Sequence, residues 1–468
     1  MKKVILHTLL AFIGIPGILG CSGLCVEDPD QPNIIILLAD DLGWNDVGFH
    51  GSEIKTPNLD KLASEGMELT RFYTAPICSP TRAGLLSGQY PDRFNLRNYV
   101  YSPVHSAGLP PETETLSELL KQAGYKRTAA FGKWHLGHSN IMYHPNSQGF
   151  DEFYGHYNGA IDYFTHKRDA ELDWHRNNEP CLDEGYSTDL VEREVIKFLN
   201  ESDGNEPFFA YVAFNAPHSP MQAKEEDLRM YGYDPSVPEE NYRVGGSRSG
   251  EREMDIYAQQ GRGNTLKQTY SGMVTALDRS VGNILITLEE KNLTDKTIVW
   301  FLSDNGGSPN YGGDNAPLRG TKHTEWEGGV RVVSLLRWPG YIPVNTKNDQ
   351  MMAYIDIAPT LVNIAGSKHE TEYDGIDIWK AIEGNPLPER YIFLGNTGIV
   401  NQEWKMNKGE LFMIEKDMVE QNNVANQYPE IVAFLDSLIQ DFQKMRPDVE
   451  VEMQPEGWLP PKNWIMPE

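Results

Sequence analysis

Positive charge is scarce in this sequence of 468 residues. Lys and Arg total 41 against 67 Asp and Glu, and the formal net charge is −26. Such an acidic protein is repelled by nucleic acid and by anionic membrane surfaces, so we expect neither as a partner. An anionic substrate is not excluded, because a local pocket of cationic side chains or a metal ion can oppose the overall field.

Long apolar runs are also absent. The longest N-terminal run, residues 4–19, falls short of the about 20 apolar residues that a membrane-spanning helix needs. It follows two lysines and ends at a small residue, which is typical of a signal peptide over residues 1–20. Ile18-Leu19-Gly20-Cys21 resembles a bacterial lipobox, in which Cys21 is lipidated and residues 21–32 form a tether. The alternative is an ordinary cleaved signal with an incidental cysteine. We expect a periplasmic or outer-membrane-anchored lipoprotein that meets the membrane only through its lipid.

Four segments predict strands, and the first, a continuous apolar run rich in β-branched residues, predicts burial on both faces. They are residues 33–39, 127–131, 208–214 and 297–303. Such runs are typical of parallel strands covered by helices. The sequence therefore predicts an α/β fold with a large, mostly parallel sheet flanked by helices, in a catalytic domain over residues 33–384. After residue 384, two short strand patterns and a helix over residues 429–444 predict a smaller C-terminal α+β subdomain, residues 385–468.

Polar side chains follow each of these four strands directly. Ligands of open α/β sheets bind at the carboxyl ends of the strands, and carboxylate and amide oxygens suit Ca²⁺ or Mg²⁺. Taken singly, the polar residues after any one strand could instead cap a helix or form a turn. The agreement among four strands favours one shared site, with the polar residues Asp40, Asp41, Lys133, His135, His218, Asp304 and Asn305.

The segment Cys78-Ser79-Pro80-Thr81-Arg82 places a cysteine, a proline and an arginine at alternate positions. Pro80 suits the first turn of a helix, and a helix N-terminus beside a cation stabilises a thiolate. A reactive sulfur is one interpretation. The other is a buried cysteine before a helix, with Arg82 as a surface charge.

With the following Ala-Gly-Leu-Leu-Ser-Gly, this segment resembles the signature of the type I sulfatases, a formylglycine-dependent family of the alkaline-phosphatase-like superfamily. The resemblance extends from residue 33 to about residue 426. Finer motifs at residues 149–155, 162–166 and 316–320 look most like the arylsulfatase B group, which includes enzymes that remove 4-sulfate from N-acetylgalactosamine. The few cysteines and the lipobox point to a bacterial, saccharide-degrading member. The remaining motifs that carry the resemblance are Gly132-Lys-Trp-His-Leu-Gly137, Ala216-Pro-His218, Asp304-Asn-Gly-Gly307, Gly320-x-Lys322 with Glu327-Gly-Gly, and Asp356-x-x-Pro-Thr360.

The resemblance implies a sulfuric ester hydrolase acting on a sulfated saccharide, such as a sulfate of N-acetylgalactosamine or galactose. Cys78 would be oxidised to Cα-formylglycine by a maturation enzyme. The aldehyde hydrate would attack sulfur, leaving a covalent sulfo-enzyme, and its second hydroxyl would then expel sulfate. One Ca²⁺ would be bound by Asp40, Asp41, Asp304, Asn305 and the modified Cys78.

The resemblance also implies roles for the cationic and imidazole side chains. Arg82, Lys133 and Lys322 would neutralise the charge of the sulfate. His135 would act as the base at the formylglycine, and His218 as proton donor or stabiliser at the leaving oxygen. The residues expected to recognise substrate, with ordinary loop packing as the alternative, are Asp162, His166, Arg319 and Trp326.

If Cys21 carries lipid and Cys78 is modified, only Cys25 and Cys181 remain among the four cysteines. Cys25 lies in the tether, so a disulfide framework is not expected. Cys181 is interpreted as a structural thiol.

Two other functions remain open. A phosphomonoester or phosphonate hydrolase of the same superfamily would use the same formylglycine, but such enzymes often carry additional His and Asp metal ligands. The sequence shows one acidic cluster, which favours sulfate. The second open function is that of a surface lipoprotein that binds glycans without catalysis. The complete set of site residues argues against it.

Overall fold

Five parallel strands form the middle of a ten-stranded sheet. The computed structural model describes residues 31–96, 99–245, 260–367, 371–448 and 450–465. The predicted signal peptide, the tether up to residue 30, Cys21 and Cys25 lie outside these residues.

The parallel strands lie in the order β11, β1, β10, β4, β5. Strand β12 extends the sheet on one side as an antiparallel neighbour of β11, followed by β2 and β13. On the other side β8 and β9 complete it. The strands are β1 (Asn33–Ala39), β2 (Met67–Leu69), β4 (Arg127–Lys133), β5 (Glu152–His156), β8 (His175–Arg176), β9 (Glu179–Pro180), β10 (Phe208–Ala213), β11 (Thr297–Ser303), β12 (Ser334–Arg337) and β13 (Thr346–Asn348).

The register brings the ends of the central strands to one edge. Ala39 pairs with Ser303, and Ala213 pairs with both Leu38 and Gly132. The residues that follow β1, β10 and β11, and the last residue of β4, therefore lie side by side.

Helices cover both faces of this sheet, as the continuous apolar runs predicted. Ile34, Ile36 and Leu38 lie in a core with helices α2, α3 and α8. Ile35 and Leu37 point to the other face, in a core with α1, α4 and α6. The helices are α1 (Pro57–Glu65), α2 (Cys78–Ser87), α3 (Leu116–Gln122), α4 (Ser187–Asn200), α5 (Glu225–Arg229), α6 (Leu266–Glu290), α7 (Glu327–Val330), α8 (Ile357–Ile364), α9 (Trp379–Ile382) and α10 (Pro429–Gln443).

A small antiparallel sheet lies near the C-terminus, with its strands in sequence order. Its own apolar cluster includes Ile399 and Leu411 and is completed by Leu435 and Ile439 of α10. Its strands are β15 (Ile392–Phe393), β16 (Ile399–Val400), β17 (Trp404–Asn407) and β18 (Glu410–Met413). Two further pairs, β3 (Phe72–Tyr73) with β14 (Met352–Ala353) and β6 (Lys167–Arg168) with β7 (Glu171–Leu172), lie outside both sheets.

The predicted fold class is confirmed: a large, mostly parallel sheet between helices, with a smaller C-terminal sheet and helix. The boundary at residues 384 and 385 stays a prediction. Within the described residues, no helix combines the length and apolar character needed to cross a membrane.

Candidate active site

Cys78 is the first residue of helix α2 and lies at the bottom of the site. Ile77 before it is extended, with φ −153° and ψ 161°, and Pro80 occupies the first turn, where a proline costs no hydrogen bond. All ten residues of α2 are buried, and Cys78 itself is 2% exposed. The helix thus presents residue 78, and its own N-terminal N–H groups, to the edge of the sheet where the central strands end.

Arg82, one turn further along α2, is fully buried, so its interpretation as a surface charge is wrong. Its guanidinium donates to Asp304 Oδ2 at 2.7 and 3.1 Å and to the Lys133 carbonyl oxygen at 2.8 Å. The charge of Asp304 raises the pKa of Arg82 above its usual range against the opposing effect of burial. Arg82 is therefore a fixed cation, held by residues from the ends of β11 and β4.

Two lysines hold the carboxylates that follow β1. Lys133 Nζ lies 2.5 Å from Asp40 Oδ2, and both residues are almost fully buried. Lys322 Nζ lies 2.7 Å from Asp41 Oδ1 and 3.6 Å from the Cys78 sulfur. Although burial opposes it, the charge of Asp41 raises the pKa of Lys322. Lys322 therefore stays a cation next to residue 78.

The oxygen atoms at this edge fit a divalent cation. Asp40 Oδ1 and Asn305 Oδ1 are buried without a hydrogen-bond partner in the described part of the chain. Asn305 instead donates from its amide nitrogen to Asp41 Oδ1 at 2.8 Å. Ligand atoms of Asp40, Asp41, Cys78 and His218 all lie within 4.8 Å of one another. Buried oxygens without partners cost free energy, and a bound cation removes that cost.

The unmodified Cys78 is a poor nucleophile in this environment. Burial raises the pKa of its thiol to about 11, although Lys133 and Lys322 act in the opposite direction. At neutral pH the sulfur therefore carries its proton. Since the thiolate is the reactive form of cysteine, the environment does not support the interpretation of residue 78 as a reactive thiol.

His135 is held by a segment that runs alongside it. Its backbone is in the left-handed region, with φ 58°. Its N–H donates to the Tyr157 carbonyl at 3.0 Å, and its carbonyl accepts from the Ser79 hydroxyl at 2.8 Å. Gly159 packs against the imidazole so closely that a Cβ there would lie 2.4 Å from Nε2. Burial, followed by the charge of Lys133, holds the pKa of His135 well below its usual range, so its ring is neutral.

His218 follows β10 and faces the same carboxylates. Its Nδ1 lies 2.6 Å from the Ser219 carbonyl oxygen, and its Nε2 lies 3.8 Å from Asp41 Oδ2. Burial and the charge of Lys322 lower the pKa of His218 to about 3. The neutral ring that donates from Nδ1 presents Nε2 as an acceptor, so donation to a leaving oxygen would require that Nε2 first be protonated.

The four side chains expected to recognise substrate are occupied by internal contacts. Asp162 Oδ1 accepts from the N–H groups of Phe164 and Thr165, at 3.0 and 2.8 Å. His166 Nε2 lies 3.0 Å from the Gly185 carbonyl oxygen. Both side chains are 2% exposed. These contacts match the alternative of loop packing.

Arg319 and Trp326 pack on each other, because the guanidinium lies 3.6 Å from the centre of the indole. Arg319 also pairs with Glu410 of the small sheet at 3.0 Å. Substrate recognition by Asp162, His166, Arg319 and Trp326 stays a prediction that these contacts do not support.

Sequence reasoning missed Tyr157 and Gly159, which hold His135. Neither residue can be identified from its type, because Tyr157 acts through its backbone carbonyl and Gly159 acts through the space that its missing Cβ leaves for the imidazole. Both residues hold His135 in its left-handed backbone conformation, which becomes visible only in the folded chain.

The sheet and the residues at its carboxyl edge define an α/β protein with the alkaline-phosphatase-like fold, in which carboxylates, cations and residue 78 lie together at one edge. A family model described as Sulfatase matches residues 32–367. The chain belongs to the sulfatase family, as the motifs predicted.

Individual relatives agree with this assignment. The chain is 35% identical to mouse arylsulfatase J over 394 residues, a match that covers 81% of this chain and 61% of that protein. It is 33% identical to dog N-acetylgalactosamine-6-sulfatase over 406 residues, covering 80% and 71% respectively. The chain thus spans about three fifths of the first relative and seven tenths of the second. The finer assignment to the arylsulfatase B group, and the bacterial origin, stay predictions.

The fold matches solved structures over nearly its whole length. The structure of Ps i-CgsB in complex with k-i-k-neocarrahexaose superposes with a TM-score of 0.79 and 30% sequence identity. The match covers 91% of this chain and 95% of that one.

Proposed function

We propose that the protein is a sulfuric ester hydrolase that removes sulfate from a sulfated saccharide, with N-acetylgalactosamine and galactose sulfates as the candidates. One observation carries the proposal: the buried cations Arg82 and Lys133 and the partly buried Lys322 converge with partnerless oxygens of Asp40 and Asn305 around residue 78. Such a site can bind a sulfate group and stabilise the charge that develops on it. Membership of the sulfatase family supports this chemistry over other anion chemistries.

The nucleophile in this proposal is formylglycine made from Cys78. A maturation enzyme would convert the CH₂–SH group to CH=O in a two-electron oxidation. Sulfur leaves at the oxidation level of sulfide, one oxygen enters, and the oxidant used by the maturation enzyme takes up the two electrons. The hydrated aldehyde supplies one hydroxyl for attack on sulfur and a second for release of sulfate. The high pKa of the buried Cys78 thiol supports a changed side chain, because the unmodified thiol is protonated at neutral pH.

The proposed cofactor is one Ca²⁺, held by Asp40, Asp41, Asp304 and Asn305 together with the oxygen at position 78. Four oxygen-bearing side chains are the donors that Ca²⁺ prefers. When bound, the ion supplies positive charge that polarises the sulfate and the hydroxyl of residue 78.

The chain's own residues divide the remaining tasks. Arg82, fixed by Asp304, and the two lysines hold the sulfate oxygens in one orientation. His135, neutral because it is buried among cations, takes the proton that must leave residue 78 before sulfate is released. His218, on the side of Asp41, is placed for the leaving oxygen of the sugar.

The test is a screen of mono- and disaccharide sulfates, resolved by sulfate position, with enzyme shown by mass spectrometry to carry formylglycine. We expect sulfate release from one position of one sugar and none from the Cys78→Ala variant. Release of sulfate by Cys78→Ala at the wild-type rate would overturn the mechanism. Absence of release from every ester tested would favour the binding protein without catalysis.

Hydrolysis of phosphate or phosphonate esters is the alternative that one observation favours. His218 contributes a nitrogen to the cluster of ligand atoms, and imidazole suits transition metals better than Ca²⁺. Parallel assays of sulfate and phosphate esters with Ca²⁺ or Mn²⁺ separate the two reactions. Faster release of phosphate with Mn²⁺ would replace the sulfate proposal.

We also propose that the protein is exported as a lipoprotein, with lipid on Cys21 and the enzyme held at the periplasmic or outer face of a membrane. The lipobox-like sequence supports this. We expect the wild type in the membrane fraction and Cys21→Ala in the soluble fraction. If wild type and Cys21→Ala are distributed equally between the membrane and soluble fractions, the lipoprotein proposal is wrong.

A further inference from the structure

The loop that carries Lys322 is bound at both ends by the small C-terminal sheet. At one end Arg319 donates to Glu410 at 3.0 Å and to the Glu420 carbonyl at 3.2 Å. Beyond Lys322, the Glu325 carboxylate accepts from the N–H and the hydroxyl of Thr397, at 2.8 and 2.9 Å. Charged side chains on both sides of Lys322 are thus bound to strand β18 and to the loops beside the small sheet.

A buried ion cluster completes this attachment. Lys405 of β17 is fully buried, with its Nζ 2.7 Å from Glu327 Oε1 and 3.0 Å from Glu420 Oε1. Glu420 also accepts from the Glu327 N–H at 2.8 Å, and Arg331 lies 3.2 Å from Glu327 Oε2. Two cations and two carboxylates balance, and removal of one would leave an uncompensated buried charge.

The backbone at Lys322 is also attached to the segments that follow β11 and precede Cys78. Its N–H donates to the Gly307 carbonyl at 3.2 Å, and the N–H of His323 donates to the Pro76 carbonyl at 2.8 Å. The ammonium group must nevertheless be held between Asp41 and Cys78. Because the flanking side chains end in the small sheet, that sheet sets where the loop can lie.

We propose that Lys405 is a positioning residue for Lys322, acting through Glu327 and Glu420. It does not touch the substrate, and it fixes the loop from residue 319 to residue 327. The proposal rests on the proposed function in one respect, since the role of Lys322 in catalysis comes from there. That Lys405 orders the loop does not depend on which reaction the protein catalyses.

The experiment compares wild type with Lys405→Met in two measurements. The first is hydrolysis of N-acetylgalactosamine 4-sulfate, or of the 6-sulfate if wild type cleaves it faster. We expect kcat to fall about 10- to 100-fold, because a displacement of about 1 Å of a catalytic group has effects of that size. The second is hydrogen exchange, in which the amides of Lys322 and His323 should exchange faster while those of β11 stay protected.

Arg390→Met is the matched control. Arg390 is another buried cation from the C-terminal part of the chain, paired with Asp356 at 2.7 and 2.8 Å. Its partner Asp356 lies outside the loop from residue 319 to residue 327. We expect it to lower the melting temperature about as much as Lys405→Met while kcat and loop exchange stay near wild type.

Should Lys405→Met fail to fold, Arg319→Met tests the same attachment from its half-exposed end. A fall in kcat with faster loop exchange supports positioning, whereas a rise in KM alone would make Arg319 a substrate-binding residue and overturn it. Unchanged kcat and exchange in a folded Lys405→Met protein would also overturn it. If wild type releases no sulfate, the proposed function fails, and the exchange measurement still decides whether Lys405 orders the loop.

Discussion

The ammonium nitrogen of Lys322 lies 3.6 Å from the sulfur of Cys78. The two residues are 244 positions apart in the sequence, one at the start of a helix and the other in a loop after β11. Lys133 also acts on the Cys78 thiol, and both lysines lower its pKa against the larger effect of burial. Replacement of Lys322 therefore isolates the contribution of one cation to the reaction.

We expect Lys322→Met to lower kcat on the preferred sulfate ester by about 10²- to 10³-fold, the usual effect of removing one preorganised charge-stabilising donor. Steady-state kinetics on protein with a verified residue 78 measures it. Lys296→Met, at an exposed lysine, is the control and should behave as wild type. A loss below about threefold in Lys322→Met would contradict the role given to this cation.

Asn305→Ala tests the cation site without changing the charge of the protein. Like Asp40 Oδ1, its Oδ1 is a buried oxygen of the site that has no hydrogen-bond partner in the described residues. We expect Ca²⁺ to raise the melting temperature of wild type, because an ion that binds only the folded state stabilises it. The variant should need about tenfold more Ca²⁺ for the same shift, which corresponds to about 1.4 kcal/mol of lost binding.

Asn422→Ala, at an exposed asparagine, is the control for the calcium titration and should follow wild type. Equal calcium dependence of Asn305→Ala and wild type would remove Asn305 from the ligand set. A melting temperature that responds to Mn²⁺ and not to Ca²⁺ would favour the phosphate-ester alternative.

Stability should fall as the pH is lowered below about 6.5. Burial lowers the pKa of His156 to about 3 and that of His138 to about 4, whereas the unfolded chain takes up protons near 6.5. Between about pH 4 and 6.5 the unfolded state binds more protons, so the free energy of unfolding rises with pH. Each histidine should cost about 2 kcal/mol between pH 7 and pH 5.

Urea unfolding at pH 7 and pH 5 measures this slope. His156→Gln should reduce the change of unfolding free energy between pH 7 and pH 5 by about 2 kcal/mol, the contribution of one histidine. If His156→Gln keeps the full slope, the ring of His156 is not held neutral in the folded state.

Gly159→Ala should reduce activity through His135. The added Cβ would lie 2.4 Å from both Cε1 and Nε2 of the imidazole, so the ring must move. We expect kcat to fall about 10- to 100-fold with a smaller change in KM. The double variant with His135→Ala should lose no more than His135→Ala alone, because the second substitution then has room. Additive losses would show that Gly159 acts elsewhere.

The sequence predicted the sheet and the residues that meet at its edge with few errors. Strands 33–39 and 297–303 have the predicted bounds, since each is an unbroken apolar run that ends at a carboxylate. The carboxyl ends of parallel strands share one edge, so their polar residues could be grouped before any distance was known. The finer helix bounds moved by a few residues, as for α10, which ends at Gln443.

Other contacts could not be predicted, because they join charged residues that a sequence pattern places in solvent. Lys405 has no neighbour in sequence that indicates burial, and its partner Glu327 lies 78 positions away. Arg319 and Trp326 suggested substrate contacts by their chemistry, yet they stack on each other. Such pairings depend on how the two sheets pack, which local periodicity does not encode.

The complete burial of helix α2 has a consequence for the order of events in biosynthesis. Residue 78 is 2% exposed, and the nine residues after it in the helix are also enclosed. A separate catalyst that needs several residues of extended chain on each side of its target cannot grip this segment once the core has formed. If Cys78 is converted as proposed, the conversion must therefore precede folding. Each newly made chain would then have a limited interval in which to become an enzyme, and a chain that folds too early would stay inactive for its lifetime.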